Sequence, residues 1–252
     1  MRRRGQRGSR AWRDALVNGG AIAPVLAAER HYLQFDGVGD CAVADAVFGG
    51  IGSVYTIAIK ADGRITTANG VYMSTGGPST ASLASYDRIY RTAGNTISFA
   101  SFTPTAGIVS ASSPGDTTGG RLVASWCVST VGGATAHSRL VVGGVVVGTA
   151  DLVQANAQTK PDHVTVGARV KDDLVTWSNF GDLKFISAVL VDGNIPDAEL
   201  AAWLAADDAE GVISNIDHYW AASDLSGSTI PARVGTVALT VSGPTISDLV
   251  AL

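Results

Sequence analysis

The sequence predicts an all-β protein in which two antiparallel sheets form a sandwich and one short helix closes it. Of the 252 residues, 46% are hydrophobic, 16% are charged and 30 are glycine. The hydrophobic residues supply a sizeable core, and the many Gly, Ser and Thr residues are typical of short strands joined by frequent turns. Strand-like apolar runs recur through the chain, and a helical pattern follows the longest of them.

The longest apolar run, Leu183–Val191, predicts the central strand of the protein. β-branched and apolar residues occupy both of its pleat faces. Such a run is typical of a strand covered on both sides, because a half-exposed strand alternates apolar with polar residues.

A turn and a short helix are expected directly after this strand. Asp192-Gly193-Asn194 is a turn sequence, since Gly and Asn tolerate positive φ. Pro196 favours a helix start, and acidic residues in the first turn interact with its free N–H groups. One face of the expected helix carries the apolar residues Leu200, Trp203 and Leu204.

Other strands are indicated by alternation and by turn signals. The stretches involved are His31–Gly37, Val54–Lys60, Ile65–Ala68, Ile97–Phe102 and Leu122–Val128. The β-branched runs on either side of Gly143-Gly144 predict a hairpin with a two-residue turn. Met73–Ser82 and Thr103–Gly120 are rich in Ser, Thr, Gly and Pro, which predicts loops.

Two motifs resemble a known family. The sequence Leu33-Gln34-Phe35-Asp36-Gly37, followed by Asp40, is similar to the opening L-x-F-D-G-x-x-D of laminin-G-like domains. Residues 181–204 resemble the last strand and closing helix of the same domains. The resemblance spans about residues 32–204 and implies a concanavalin A-like jelly-roll β-sandwich.

Three segments are expected from these patterns. Residues 1–30 form a basic N-terminal arm, residues 31–211 the jelly roll, and residues 212–252 a C-terminal β extension. The last segment, with Trp220 and Ser226-Gly227-Ser228-Thr229, resembles one appended to jelly rolls in some tailed-phage virion proteins. The alternative is a terminal hairpin that completes the same sandwich.

The positive charge is concentrated at the N-terminus, although the formal net charge is −4. We expect this arm to anchor the protein on an acidic protein surface; the alternative is a solvated tail with no partner. Nucleic acid is a less favoured partner, because no basic surface interleaved with aromatic residues follows in the body. The anchor residues are Arg2, Arg3, Arg4, Arg7, Arg10, Trp12 and Arg13.

The sequence predicts no catalytic centre. Jelly-roll glycanases need two adjacent carboxylates, usually glutamates, on one strand. The three glutamates, Glu29, Glu199 and Glu210, cannot form that pair. The four histidines are scattered without a zinc-binding spacing, and no nucleophile elbow or phosphate loop occurs. A glycan hydrolase is therefore only a remote alternative.

Two kinds of ligand are still compatible with the residues. Laminin-G-like domains often bind calcium through loop oxygens, and Asp36, Asp40, Asp151 and Asp182 are the candidates here, with solvated turn aspartates as the alternative. No other cofactor is expected. Tyrosines in or near polar loops could stack on sugar rings or simply pack the loops; the candidates, with one tryptophan, are Tyr72, Tyr86, Tyr90 and Trp177.

Cysteine usage and hydropathy bear on the compartment. Cys41 and Cys127 are expected to be buried free thiols, as in a reducing cytoplasm, with a disulfide as the alternative. There is no apolar run of membrane-spanning length, and Pro24 interrupts the only run that resembles a signal peptide. We therefore expect assembly in a host cytoplasm, without a signal peptide or a membrane partner.

The functional expectation is a non-enzymatic structural virion protein of a tailed phage. It would serve as a capsid decoration, fibre or tail-associated subunit, with other virion proteins as partners and a homo-oligomeric state. The alternative is a carbohydrate-binding module that attaches to host or environmental glycans. Fold alone does not decide between them, because jelly rolls host both roles.

Overall fold

Two antiparallel sheets face each other across the core, as the sequence predicts. The computed structural model describes residues 31–52, 54–62, 65–76, 86–94, 96–103, 107–112, 121–129, 135–142, 145–153, 161–170, 177–242 and 249–251. The predicted arm of residues 1–30 lies outside these ranges. Within them, one α-helix accompanies the strands.

The first sheet has the order β10-β9-β8-β3-β14-β1-β19, and β15 and β17 join it beside β14. Its strands are β1 (His31–Gln34), β3 (Val54–Asp62), β8 (Arg121–Ser129), β9 (Thr135–Val142), β10 (Val145–Val153), β14 (Lys184–Asp192), β15 (Ile216–Ala221), β17 (Ala232–Val234) and β19 (Leu249–Ala251).

The second sheet has the order β16-β18-β2-β11-β4-β5-β6-β7. Its strands are β2 (Cys41–Ala44), β4 (Val71–Gly76), β5 (Tyr86–Arg91), β6 (Ile97–Thr103), β7 (Gly107–Ser112), β11 (His163–Val166), β16 (Thr229–Ile230) and β18 (Leu239–Ser242). A separate small pair consists of β12 (Arg169–Val170) and β13 (Trp177–Ser178).

Strand β14 is the central strand that its apolar sequence predicts. It pairs with β3 along one edge and with β1 and β15 along the other. Phe185 and Leu190 belong to the core between the sheets, whereas Val189 and Val191 belong to a second core on the outer side of the first sheet. Both faces are therefore buried, which explains the absence of polar alternation.

The helix α1 (Asp197–Ala205) forms that second core, and the prediction of a closing helix is confirmed. It begins after Pro196, with Asp197 and Glu199 in its first turn. Leu200 and Trp203 are buried against the outer face of the first sheet. The outer face of the first sheet is thus committed to packing in this region.

A buried lysine ties the helix to the sheet. Lys60, in β3, is 1% exposed, and its Nζ donates to the carbonyl oxygen of Trp203 at 2.8 Å and to that of Ala206. These carbonyls lie at the C-terminal end of α1, where the last turn leaves acceptors unsatisfied and the helix dipole is negative. Lys60 therefore caps the C-terminal end of the helix from the first sheet.

Strands that follow residue 211 join both sheets. β15 pairs with β14 in the first sheet, and β18 pairs with β2 in the second. The indole N–H of Trp220 donates to the carbonyl oxygen of Val237 at 2.7 Å. Residues 216–242 thus contribute to the sandwich itself, as the terminal-hairpin alternative has it.

The remaining predictions of strands, turns and loops are confirmed in part. The hairpin at Gly143-Gly144 is confirmed by the pairing of Val142 with Val145, and the strand at Ile97–Phe102 by β6. The loop expected at Met73–Ser82 begins instead as strand β4, and Ile65–Ala68 is not a strand. The second half of β4 was missed because Ser74, Thr75 and Gly76 are typical of loops, whereas pairing with β11 and β5 holds this segment in a strand.

Of the two cysteines, only Cys41 has a described side chain. Cys41 is a buried free thiol whose Sγ lies 3.2 Å from Ser242 Oγ. Burial raises its pKa. Among the residues described, no helix has the length and apolar character needed to cross a membrane.

The Lys60 cap yields a prediction about stability. Lys60→Met should lower the free energy of unfolding by about 2–4 kcal/mol, because two buried carbonyl groups lose their donor. Urea denaturation would measure the loss. Lys184→Met is the matched control: its side chain is 43% exposed, with Nζ 3.9 Å from Asp62, and it should cost less than about 1 kcal/mol. Equal unfolding midpoints for Lys60→Met and wild type would contradict the capping role.

Candidate functional site

The outer face of β5 carries an aromatic side chain with a cation stacked over it. Ile89 is fully buried in the core between the sheets, so strand alternation places Arg88 and Tyr90 on the opposite face. The Arg88 guanidinium carbon lies 4.2 Å from the centre of the Tyr90 ring. Both residues are partly exposed. The pair therefore offers a π surface and several N–H donors at one place.

The neighbours of this pair are small. Across β6, Ser98 stands opposite Tyr90 and Ala100 opposite Arg88, and Ser74 of β4 flanks Arg88 on the other side. All three residues are at most 1% exposed, so in this part of the sheet the partly exposed Arg88 and Tyr90 themselves supply the accessible surface.

A buried carboxylate fixes β5 from the inside. The Tyr55 hydroxyl of β3 donates to Asp87 Oδ2 at 2.5 Å, and the Asp87 N–H donates to Thr75 Oγ1 at 3.1 Å. Asp87 is 2% exposed, and burying a carboxylate is unfavourable unless donors satisfy it. The Tyr55 bond joins β5 to the facing sheet, and the Thr75 bond joins it to the neighbouring strand β4.

The part of the second sheet next to β5 is covered. Thr165 Oγ1 donates to the carbonyl oxygen of Ala168 at 2.7 Å and lies 2.5 Å from Ser74 Oγ. The chain after β11 therefore folds back over β11 and β4. Among the described residues of this part of the sheet, Arg88 and Tyr90 keep partial exposure, whereas Thr165 and Ser74 are fully buried.

The predicted glycan-binding residues fall into different environments. Tyr90 lies in β5 and is partly exposed. Tyr72 is not in a loop: it lies in β4, is 0% exposed, and its hydroxyl accepts a hydrogen bond from the Ile65 N–H at 3.2 Å. A ring without exposed surface cannot stack on a sugar. Tyr86 begins β5, and Trp177 lies in β13 opposite Val170.

Three of the four calcium candidates lie close together. Asp36 and Asp40 lie in the connection between β1 and β2, and Asp182 precedes β14. A β-carbon at Gly37 would lie 3.2 Å from that of Asp182, so the two segments are in contact. Asp151 lies in β10, five strand positions from β1, and does not belong with the others.

These carboxylates already accept hydrogen bonds from the protein. Asp182 Oδ1 accepts from the N–H groups of Thr66 at 2.6 Å and Thr67 at 2.9 Å, and Asp36 Oδ1 accepts from those of Val38 and Gly39. Burial would raise the pKa of Asp182, but the Thr66 and Thr67 hydrogen bonds outweigh it and hold that pKa below its ordinary value. Backbone N–H groups likewise lower the pKa of Asp36. Calcium binding there stays a prediction.

The structure places neither the predicted anchor nor a pair of glutamates in a shared site among the described residues. The anchor residues of the arm lie outside the described residues. Glu199 accepts hydrogen bonds from the Ser214 N–H at 2.8 Å and its hydroxyl at 2.9 Å, and Glu210 is exposed after α1. Both glutamates lie on the helix side of the first sheet.

A further cluster was not predicted. The potential ligand atoms of Asp45, Asp162 and His163 lie within 4.8 Å of one another. No spacing motif could reveal this group, because β2 and β11 are distant in sequence and meet only through sheet pairing.

The Asp182 hydrogen bonds yield a pH-dependent prediction. Asp182→Ala should cost about 1–2 kcal/mol at pH 7, with allowance for partial exposure. A carboxyl whose pKa is lowered in the folded state stabilises the protein above its unfolded pKa of about 3.9, and this contribution disappears as the pH falls through the folded pKa. Urea denaturation at pH 7 and near pH 3 would measure both.

The control is Asp207→Ala, which removes an exposed ion pair with Arg121 at 3.7 Å. It should change stability by less than about 1 kcal/mol at pH 7. A cost for Asp182→Ala that is independent of pH would contradict the proposed role of the ionised carboxylate.

Comparison with known proteins confirms the fold. No protein-family model and no curated protein matches the sequence. Among solved structures, the chain is similar to a native heptameric SAP-like pentraxin from Limulus polyphemus, with a TM-score of 0.56 and 12% identity over 87% of this chain and 98% of the pentraxin.

Two further solved structures have the same architecture. The IT-sialidase CBM40 of Ruminococcus gnavus gives a TM-score of 0.50 at 14% identity, over 69% of this chain and 96% of that one. A candidate carbohydrate-binding protein from Bacteroides ovatus gives 0.58 at 11% identity over 88% of this chain, which spans 61% of that protein. At such identities the likeness shows the fold alone, a lectin-like jelly-roll sandwich.

Proposed function

We propose that this protein is a non-catalytic glycan-binding module that holds its ligand on the outer face of β5. The observation that carries the proposal is the partly exposed Tyr90 ring with the Arg88 guanidinium 4.2 Å above it.

The chemistry of the pair suits a hydroxylated ring. The face of an aromatic side chain is apolar and electron-rich, so it packs against the C–H faces of a sugar. The guanidinium carries several N–H donors in a rigid plane, which can bind hydroxyl or carboxylate oxygens in pairs. Tyr90 would thus supply contact area for the sugar ring, and Arg88 would fix the orientation of the sugar.

The arrangement of the sheets favours this face over the other. Trp203 and Leu200 of α1 pack on the outer side of the first sheet, and Lys60 holds the helix there. A ligand on that side would have to displace a packed helix. Two structural neighbours are named for carbohydrate binding, which supports the proposal at the level of the fold.

The absence of catalysis is part of the proposal. Glu199 and Glu210 lie on the helix side of the first sheet, away from β5, and Asp87 beneath Arg88 is turned into the core. A hydrolase would need two carboxylates that flank a bound glycosidic bond. The Arg88–Tyr90 surface therefore favours binding over turnover.

A structural role in a phage virion remains a second proposal. The segment from Trp220 to Thr229 resembles virion sequences, and the cationic residues 2–13 form a natural anchor for an acidic lattice. In this account the arm attaches the module to other virion proteins in an oligomer, and β5 presents the glycan site.

Glycan binding is tested with a glycan array and two variants. Tyr90→Ala and Arg88→Ala should each weaken the affinity for the best-bound glycan at least tenfold, or about 1.4 kcal/mol. Tyr32→Ala is a matched control, because Lys184 lies 5.1 Å over the Tyr32 ring in the first sheet. It should bind as wild type does. No retention on any glycan, or equal effects of the three variants, would contradict the proposal.

The anchor is tested separately. Deletion of residues 1–30 should release the protein from purified virions or lattice fragments, because the Arg-rich contact is lost, and should leave glycan affinity unchanged. Sedimentation with the lattice measures the first effect and the array the second. Full lattice occupancy by the truncated protein would rule out the arm as the anchor.

A further inference from the structure

Sheet pairing brings three potential metal ligands to one end of the second sheet. Val164 of β11 pairs with Ala44 of β2, so His163 and Asp45 follow at the next position of the ladder. His163 also pairs with Gly76 of β4. Their positions are therefore set by three adjacent strands.

The backbone on either side is held rigidly. The Asp162 N–H donates to the carbonyl oxygen of Gly76 at 2.9 Å, and the Asp162 carbonyl accepts from the Val47 N–H at 2.8 Å. Ala46 has a φ of 56°, and its N–H donates to Asp45 Oδ1 at 2.9 Å. The turn after β2 thus returns over β11 and keeps Asp45 beside Asp162.

The imidazole of His163 is buried at the base of this cluster. It is 0% exposed, and its Nδ1 lies 2.7 Å from Asp162 Oδ1. Its Nε2 is buried and makes no hydrogen bond with any residue that the structure describes. The ring fits because Gly76 has no side chain; a β-carbon there would collide with the imidazole.

Neither neutral tautomer satisfies this histidine. A proton on Nδ1 satisfies Asp162 but leaves a buried lone pair on Nε2 without a donor. A proton on Nε2 leaves the Nδ1 lone pair facing a carboxylate oxygen. A cation bound to Nδ1 and the carboxylates removes this repulsion and keeps the ring proton on Nε2, so Nδ1 is the ligating atom.

We propose that Asp45, Asp162 and His163 form a divalent transition-metal site that takes Zn²⁺. The three potential ligand atoms lie within 4.8 Å of one another, and a tetrahedral zinc site needs them about 3.3 Å apart. A modest rotation of the exposed Asp45 side chain brings its carboxylate to that shorter distance. Water completes the coordination from the solvent side.

The donor set decides the class of ion. Calcium prefers six to eight oxygen ligands, and magnesium prefers six. A buried imidazole with two carboxylates suits zinc instead. Asp162 is partly exposed and Asp45 is exposed, so the ion has an open path to a site whose base is buried. This site is distinct from the Asp36, Asp40 and Asp182 cluster expected to hold calcium.

The decisive variant is Asp45→Asn. Asp45 takes no part in the Asp162–His163 contact, so this variant removes a metal ligand and keeps the buried pair. In calorimetric titration of the EDTA-treated full chain, Zn²⁺ should bind wild type once per chain with a dissociation constant on the order of micromolar. Asp45→Asn and Asp162→Asn should each weaken this binding at least tenfold.

Asp36→Asn is the matched control, because Asp36 is also a loop aspartate that accepts N–H groups of its own loop. It should bind zinc as wild type does, and metal-free Asp45→Asn should melt within a degree or two of metal-free wild type. No saturable heat with zinc, equal zinc affinity in Asp45→Asn, or binding of calcium in preference to zinc would overturn the proposal. Glycan affinity of Asp45→Asn should be unaltered, which separates this test from that of the β5 surface.

Discussion

Double-sided burial of β14 and its partner β3 is the constraint on which the rest of the structure depends. Phe185 and Leu190 fill the space between the sheets, while Val189 and Val191 lie under α1. Lys60 joins the two layers, since its ammonium group satisfies the last carbonyls of the helix. Because this arrangement covers the outer face of the first sheet around α1, the glycan site proposed above lies on the second sheet.

The sequence could predict the elements whose signals are local. The apolar run before Asp192 and the Pro196 helix start each specify their own conformation, and both appear in the structure. The strands on either side of Gly143-Gly144 pair as the hairpin prediction requires. Strand β4 could not be predicted in the same way. Its second half contains Ser74, Thr75 and Gly76, which are typical of loops, and it becomes a strand because β11 and β5 pair with it on both edges. Non-local pairing of this kind leaves no periodic trace in one sequence.

The site was predictable only in part, for a related reason. Tyr90 was a candidate because an aromatic residue in a polar stretch is conspicuous, but Tyr72 looked equally suitable and proved buried. Arg88 gave no signal, since its role comes from alternation around Ile89 and from Asp87 below it. Asp45, Asp162 and His163 were invisible as a group, because only the pairing of β2 with β11 brings them together.

The central claim is that this jelly roll binds glycans on β5 and nowhere on the helix-covered sheet. Amide NMR spectra of the ¹⁵N-labelled protein, recorded during titration with its best-bound glycan, test it most directly. The account predicts shift changes confined to residues 86–91 of β5 and the adjoining part of β6, with α1 and β15 unaffected. Shift changes centred on α1, or on the outer face of β3 and β14, would contradict it.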